Sequence, residues 1–289
     1  MRHRVTHSTT YAYAQPVAFG HNELRLTPRA SASQKPCRTQ LLVEPVPSTL
    51  TTSVDYFGNT VTFLTVQEPH DRLTITASSD VDVTPAAPTH PADTPPWETV
   101  GAHVRAQRGL GSFEAFEYLL ESPHVRVDAQ VAAYAASSFA PDRPVLAAAL
   151  ELSGRIHADF AYVPKATTIA TPVSEVLAGR RGVCQDFAHL ALACLRAQGV
   201  PARYVSGYLE TEAAPGRPRV VGADASHAWI AVFCGPAGWI DLDPTNAPAS
   251  DAAYVTLAWG RDYADVAPVK GVILGGGEHT VSVAVEVQS

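Results

Sequence analysis

Residues 182–209 read GVCQDFAHLALACLRAQGVPARYVSGYL, and the period of this stretch changes halfway along. Phe187, Leu190, Ala191, Cys194 and Leu195 recur at helical spacing. Gly199 followed by Pro201 stops the helix, and Ala202–Leu209 returns to strand composition. Cys184 stands where the helix begins. Such a terminus offers free N–H groups and a positive dipole end, which favour a thiolate. The other three cysteines lack that setting. Cys194 lies on the apolar stripe and is expected in the core, while Cys37 and Cys234 lie beside strand or turn positions with no base nearby in sequence.

A thiolate nucleophile needs a base, and the base needs an orienting group. Two downstream runs supply candidates: Ser226–Phe233 (SHAWIAVF) and 238–246 (GWIDLDPTN), joined by the turn-like Cys234-Gly235-Pro236-Ala237. A hairpin centred on Pro236 opposes Phe233 to Trp239 and His227 to Thr245. His227, Trp229, Asp241 and Asp243 then share a face, with Asp243 diagonal to His227 and Asp241 a step further away. This register favours Asp243 as the imidazole's partner, and a slip of one residue would reverse the faces. In this set Cys184 attacks a carbonyl, His227 moves the proton and Asp243 fixes the tautomer. The Cys184 N–H is a candidate oxyanion donor.

The N-terminal stretch, 1–83, alternates like strands, rich in Thr and Val, with the turn Phe57-Gly58-Asn59 within it. Residues 84–97 (TPAAPTHPADTPPW) hold five prolines and read as a linker or an extended surface strap. Ala-rich segments at 128–138 and 144–158 suit helices, the second with Pro144 in its first turn. Further strands are expected at 238–242 and 281–287. The chain is therefore α+β: an all-β sandwich-like domain over 1–83, a Pro-rich linker over 84–97, and a unit over 98–289 with helices packed on a mostly antiparallel sheet.

Composition narrows the function. Of 289 residues, 46% are hydrophobic, enough for a sizeable core. Lys plus Arg number 21 against 28 Asp plus Glu, a net charge of −7, which argues against nucleic-acid binding. No apolar run is long enough for a membrane helix, and the N-terminus has no secretory pattern, so a cytoplasmic protein without membrane contact is expected. Four scattered cysteines without a CxxC pair do not suggest zinc or a disulfide framework. Neither a metal nor another cofactor is expected.

The three blocks GVCQDFAHLALACLRAQGVPARYVSGYL, SHAWIAVF and GWIDLDPTN resemble the core of the bacterial transglutaminase-like superfamily, whose members include cysteine proteases. HSTTYAYAQPVAFGHNELRLTPR and DYFGNTVTFLTV resemble the bacterial transglutaminase-like N-terminal region that accompanies this core. The resemblance implies a papain-like α+β core with Cys184 as nucleophile, His227 as base and Asp243 as orienting acid. It also implies amide chemistry through an acyl-enzyme thioester. An upstream aromatic can add an oxyanion donor in such enzymes, and Tyr162 is the candidate here. Tyr162 and Trp229 could line the groove or serve as core aromatics. Asp186, His189 and Asn246 belong to the pattern and are expected to support the site through hydrogen bonds; a metal pair or substrate clamp at Asp186 and His189 is the sharper alternative. The expected substrate is a peptide, protein or amide. Hydrolysis is the first expectation, transamidation to an amine the second, and a non-catalytic binding module the third.

Overall fold

Alternation in the N-terminal residues produces one unusually long strand. The computed structural model describes residues 1–109, 111–210, 226–246 and 253–289. In it, β1 runs over Arg2–Leu24, with His3, Val5, His7 and Thr9 turned inward. The strands β2 Gln34–Glu44, β3 Thr49–Val54, β4 Thr60–Val66 and β5 His70–Val83 follow. The helices are α1 Trp97–Arg105, α2 Ser112–Ala115, α3 Ala129–Ala136, α4 Val145–Asp159, α5 Val173–Gly179, α6 Cys184–Ala197 and α7 Tyr263–Val266. Among and after them come β6 Ala161–Tyr162, β7 Arg181–Gly182, β8 Ala202–Leu209, β9 Ser226–Phe233, β10 Trp239–Leu242, β11 Tyr254–Gly260, β12 Val269–Gly275 and β13 His279–Gln288.

β1 organises a seven-stranded antiparallel sheet. Its first half lies between β5 and β13, and its second half between β4 and β12. β2 and β3 extend the two halves outward. The pairing with β5 slips between Ala12 and Val17, where one half passes into the other. The halves share a core: Leu24, Leu64 and Val66 from one meet Val43, Leu73, Ile75 and Ala77 from the other. This is the sandwich-like layering, made from a single hydrogen-bonded sheet.

Two sequence expectations need correction. The sequence groups the stretch after residue 268 with the second unit, over 98–289, yet β12 Val269–Gly275 and β13 His279–Gln288 pair with β1 in the first unit's sheet. Their alternation marks them as strands, but nothing local to them names a partner at the opposite end of the chain. Pro144 is the N-cap of α4 and lies just outside its first turn. The Pro-rich stretch behaves as a strap packed on the core. Thr94 is buried; its Oγ1 accepts from Leu146 N at 3.2 Å, and Pro95 O accepts from Val145 N at 2.9 Å. The strap thus occupies donors that the first turn of α4 leaves without intrahelical partners.

The second unit is a four-stranded antiparallel sheet in the order β10-β9-β8-β11. α6 packs on β8 and β9, with α3, α4 and α5 around it. From Asp186 to Arg196 every residue of α6 is buried, so the helix is enclosed on all sides by Val131, Leu152, Val176, Ile230 and Val232, among others. Enclosure fixes its N-terminus, and with it Cys184.

The two units share a boundary dense in polar contacts. Val5, Val81, Val83, Val285 and Val287 belong to the same apolar cluster as Tyr208 of β8. Tyr208 donates its hydroxyl hydrogen to His7 Nδ1 at 3.0 Å, and burial holds His7 down at about 4, neutral and able to accept. His3 meets Glu210 at 3.3 Å. β11 pairs with β8 along one edge only, and side-chain amides of the first unit cover the other. Gln34 accepts from Thr256 N and donates to Thr256 O, both at 2.7 Å. Asn59 does the same for Trp259, at 3.0 and 2.9 Å. These amides stand in for a neighbouring strand and leave that edge closed.

Asn59→Ala strands the Trp259 amide and carbonyl together with Arg29 and Asp55, so it should cost about 2–3 kcal/mol. Urea unfolding followed both by far-UV circular dichroism and by tryptophan fluorescence should show one shifted transition. Two separate transitions would contradict a shared boundary.

Candidate active site

The turn before α6 is built by Asp186. Its carboxylate Oδ2 accepts from Val183 N at 2.8 Å and from Thr167 Oγ1 at 2.5 Å. This is a capping interaction from the third position of the helix back to its start. Gly182 lies against it: a Cβ there would come within 2.7 Å of Asp186 Oδ2. Gly182 also pairs with Tyr162 in the short parallel β6–β7 ladder, where Val163 N donates to Gly182 O at 2.9 Å. Cys184 follows as the first residue of α6, partly exposed.

The hairpin has the expected register, with Trp239 opposite Phe233 and Asp241 opposite Ala231. Extended past Leu242, it brings Asp243 to the imidazole. His227 Nε2 donates to Asp243 Oδ2 at 2.7 Å, and Cys184 lies near enough to the ring to favour its charged form. The fold thus joins His227 to Asp243 and sets Cys184 near the same ring. Asp241 is not part of this set; it is exposed, and its charge acts on Arg203.

Asp243 is held from several sides. Oδ1 accepts from Thr245 N at 2.8 Å and Asn246 N at 3.3 Å. Oδ2 accepts from Asn246 Nδ2 and from the Tyr254 hydroxyl, each at 2.8 Å, besides the imidazole. Burial would raise this carboxyl, but the donors outweigh it and hold it below the usual range. Burial likewise pushes His227 down, and the Asp243 hydrogen bond and Cys184 more than reverse it, to about 9.

The remaining candidates divide. Asn246 supports Asp243 directly, and its Nδ2 lies 3.3 Å from His227 Nε2. Tyr162 is 54% exposed, its ring edge on Phe187 at 6.4 Å, and burial and the nearby Cys184 both raise its hydroxyl. Trp229 departs from a groove-lining role. It is 1% exposed, with its ring stacked under His227 at 6.0 Å and edge-on to Tyr254 at 5.1 Å. It backs the imidazole from within the core because β11 covers its other side.

His189 does not reach the triad. Its Nε2 accepts from Tyr263 N at 3.2 Å and its ring stacks on His124 at 5.4 Å. Burial holds it down at about 3, so it is a neutral acceptor securing α7. Among the described residues no group of His, Cys, Asp and Glu has the makings of a metal site. Two residues of the site escape a local reading of the sequence, Tyr254 and Thr167. Tyr254 lies on a strand whose pairing with β8 is long-range, and Thr167 belongs to an irregular loop without a periodic signal.

Residues 3–82 match the bacterial transglutaminase-like N-terminal region and residues 132–244 match the transglutaminase-like superfamily. The chain is 43% identical over 287 residues to an uncharacterized protein of Mycobacterium tuberculosis, covering 97% of this chain and 90% of that one. It is 37% identical over 293 residues to one from Mycobacterium leprae, covering 99% and 98%. A solved protein from Cytophaga hutchinsonii, described as a candidate cysteine protease, superposes with a TM-score of 0.77 at 20% identity, over all of this chain and 90% of that one. The chain belongs to the transglutaminase-like superfamily and carries its bacterial N-terminal region.

Titration should follow the hydrogen bonds. By NMR, His227 should titrate at about 9. Asp243→Asn should lower it, since burial then meets less opposition, and Asp241→Asn should leave it in place. The folded value lies above the unfolded one of about 6.5. The contribution of His227 to stability is therefore complete below pH 6.5 and lost as pH rises through about 9. Asp243→Asn should flatten that part of the stability profile.

Proposed function

We propose that this protein cleaves peptide or amide bonds by thiol catalysis. What supports the reading is the His227 ring, bonded to Asp243 at 2.7 Å and raised to about 9 by that carboxylate and by Cys184 nearby. The Cys184 sulfur attacks the carbonyl carbon, and its proton passes to His227. The C–N bond then breaks, His227 protonates the leaving amine, and a thioester remains on Cys184. Water attacks the thioester, returning the thiol and releasing a carboxylic acid. Asp243 keeps the imidazole oriented and stabilises its cationic form. The first N–H groups of α6 and the Tyr162 hydroxyl are the candidate donors to the oxyanion. The four free cysteines fit a reducing compartment, and we place the activity in the cytoplasm.

A second reading replaces water by an amine. It is favoured by 38% identity over 92 residues to the protein-glutamine gamma-glutamyltransferase of Pseudomonas aeruginosa, a stretch covering 31% of this chain and 14% of that protein. Both readings use the same three residues and differ in what resolves the thioester.

Iodoacetamide labelling of the native protein from pH 5 to 9, with the modified residue located by mass spectrometry, tests the common step. Rapid labelling at Cys184, persisting below pH 7 and lost in His227→Ala, is the expected result. Cys184→Ala should abolish turnover of an amide substrate, and Asp243→Asn should lower it by about 10²–10⁴-fold, the usual worth of positioned proton transfer. Adding a primary amine during turnover distinguishes the two acceptors by product mass. A slow, ordinary thiol profile at Cys184 would leave only a binding role for the fold.

A further inference from the structure

The Trp229 side chain is 1% exposed, and its indole Nε1–H is buried with no acceptor among the described residues. A buried indole usually finds an acceptor, because a stranded donor costs stability. Phenylalanine or leucine would fill an apolar site without that cost. What the indole offers beyond bulk is its π face. The His227 ring lies on that face at 6.0 Å between centroids, 26° from parallel. The Tyr254 ring closes the same corner, 5.1 Å from the indole and 6.2 Å from the imidazole. The backbone makes room for this stack. Gly207 lies opposite His227 on β8, and a Cβ there would come within 2.5 Å of Trp229 Cη2.

The stack bears on the charge of His227. That side chain is 10% exposed, so little water solvates an imidazolium there. The groups facing it are the Asp243 carboxylate in the turn after β10, Cys184 at the start of α6, and Tyr254 of β11, whose hydroxyl is spent on Asp243. An aromatic face carries negative charge at its centre and attracts a cation more than a neutral ring. We infer that Trp229 is a positioning residue for the reaction, its π face stabilising the His227 imidazolium, the state in which the base has taken the Cys184 proton. The inference rests on His227 serving Cys184. A contact at 6.0 Å, near the outer limit for such pairs but shielded from water, is worth about two- to tenfold in the proton affinity of His227.

Fluorinated tryptophan tests this with the shape of the site kept. Fluorine withdraws charge from the ring face and leaves its packing nearly as it was, so a mechanical role for Trp229 is insensitive to it. The chain holds four tryptophans, Trp97, Trp229, Trp239 and Trp259, and growth on mono-, di- or trifluorotryptophan replaces them together. Each protein is then read by NMR titration of His227 and by the pH profile of Cys184 alkylation with iodoacetamide. With successive fluorines His227 should titrate lower, by about two- to tenfold in proton affinity across the series. The lower pH limit of rapid Cys184 labelling should rise by a similar factor, because a less stable imidazolium holds the thiolate less well. The window of the charged pair closes from both sides. In Trp229→Phe the series should move neither quantity, and in Trp97→Phe it should move both as in the unsubstituted chain.

A His227 titration that stays in place across the series in the unsubstituted chain would overturn the inference, as would a shift that persists in Trp229→Phe. A titration that falls while Cys184 alkylates like an ordinary thiol at every pH would leave the indole–imidazolium contact standing. It would overturn the part of Trp229 in the reaction together with the reading of Cys184 as nucleophile.

Discussion

The Asp243 carboxylate is the constraint on which the site depends. It accepts from the His227 ring, the Thr245 and Asn246 amides, the Asn246 side chain and the Tyr254 hydroxyl. These donors come from β9, from the turn after β10 and from β11, so one anion ties three parts of the chain. A buried carboxylate this well satisfied stays ionised, and an ionised carboxylate holds the imidazole in one tautomer and one orientation. The Trp229 ring stacked beneath the imidazole backs it on the sheet side.

The nucleophile is fixed by different means. Asp186 caps the helix, Gly182 makes room for that cap, and the closed packing around α6 prevents it from sliding. The N-terminal sheet contributes at one remove. Its amides at Gln34 and Asn59 close the edge of β11, the strand that carries Tyr254. A surface far from Cys184 thus bears on how Asp243 is held.

Much of this was legible in the sequence where the determinants are local. The turn around Pro236 set the register of the hairpin, and the register separated Asp243 from Asp241. The Gly199-Pro201 stop and the apolar spacing after Cys184 located α6. What escaped is what depends on distant partners. Trp229 alternates onto the same face as His227, but whether that face is groove or core is decided by β11, a strand beyond the end of the hairpin. Residues 269–288 show their strand character plainly and their partner not at all. His189 lies within the motif that surrounds Cys184, yet a helix buried all round turns such a residue away from the site as readily as toward it.

The pairing of β1 with the last two strands also orders events in time. β1 precedes every other described element, and among the described residues its second edge is covered by β12 and β13. During synthesis that edge stays open until β12 and β13 emerge, and contacts of such long sequence separation are slow to close. Val5 of β1 shares a core with Val285 and Val287, so the shared boundary is completed only once the last strands arrive. An open β1 edge in the interval is a surface on which nascent chains can pair with one another. Folding yield is then governed by strands distant in sequence from the one they protect.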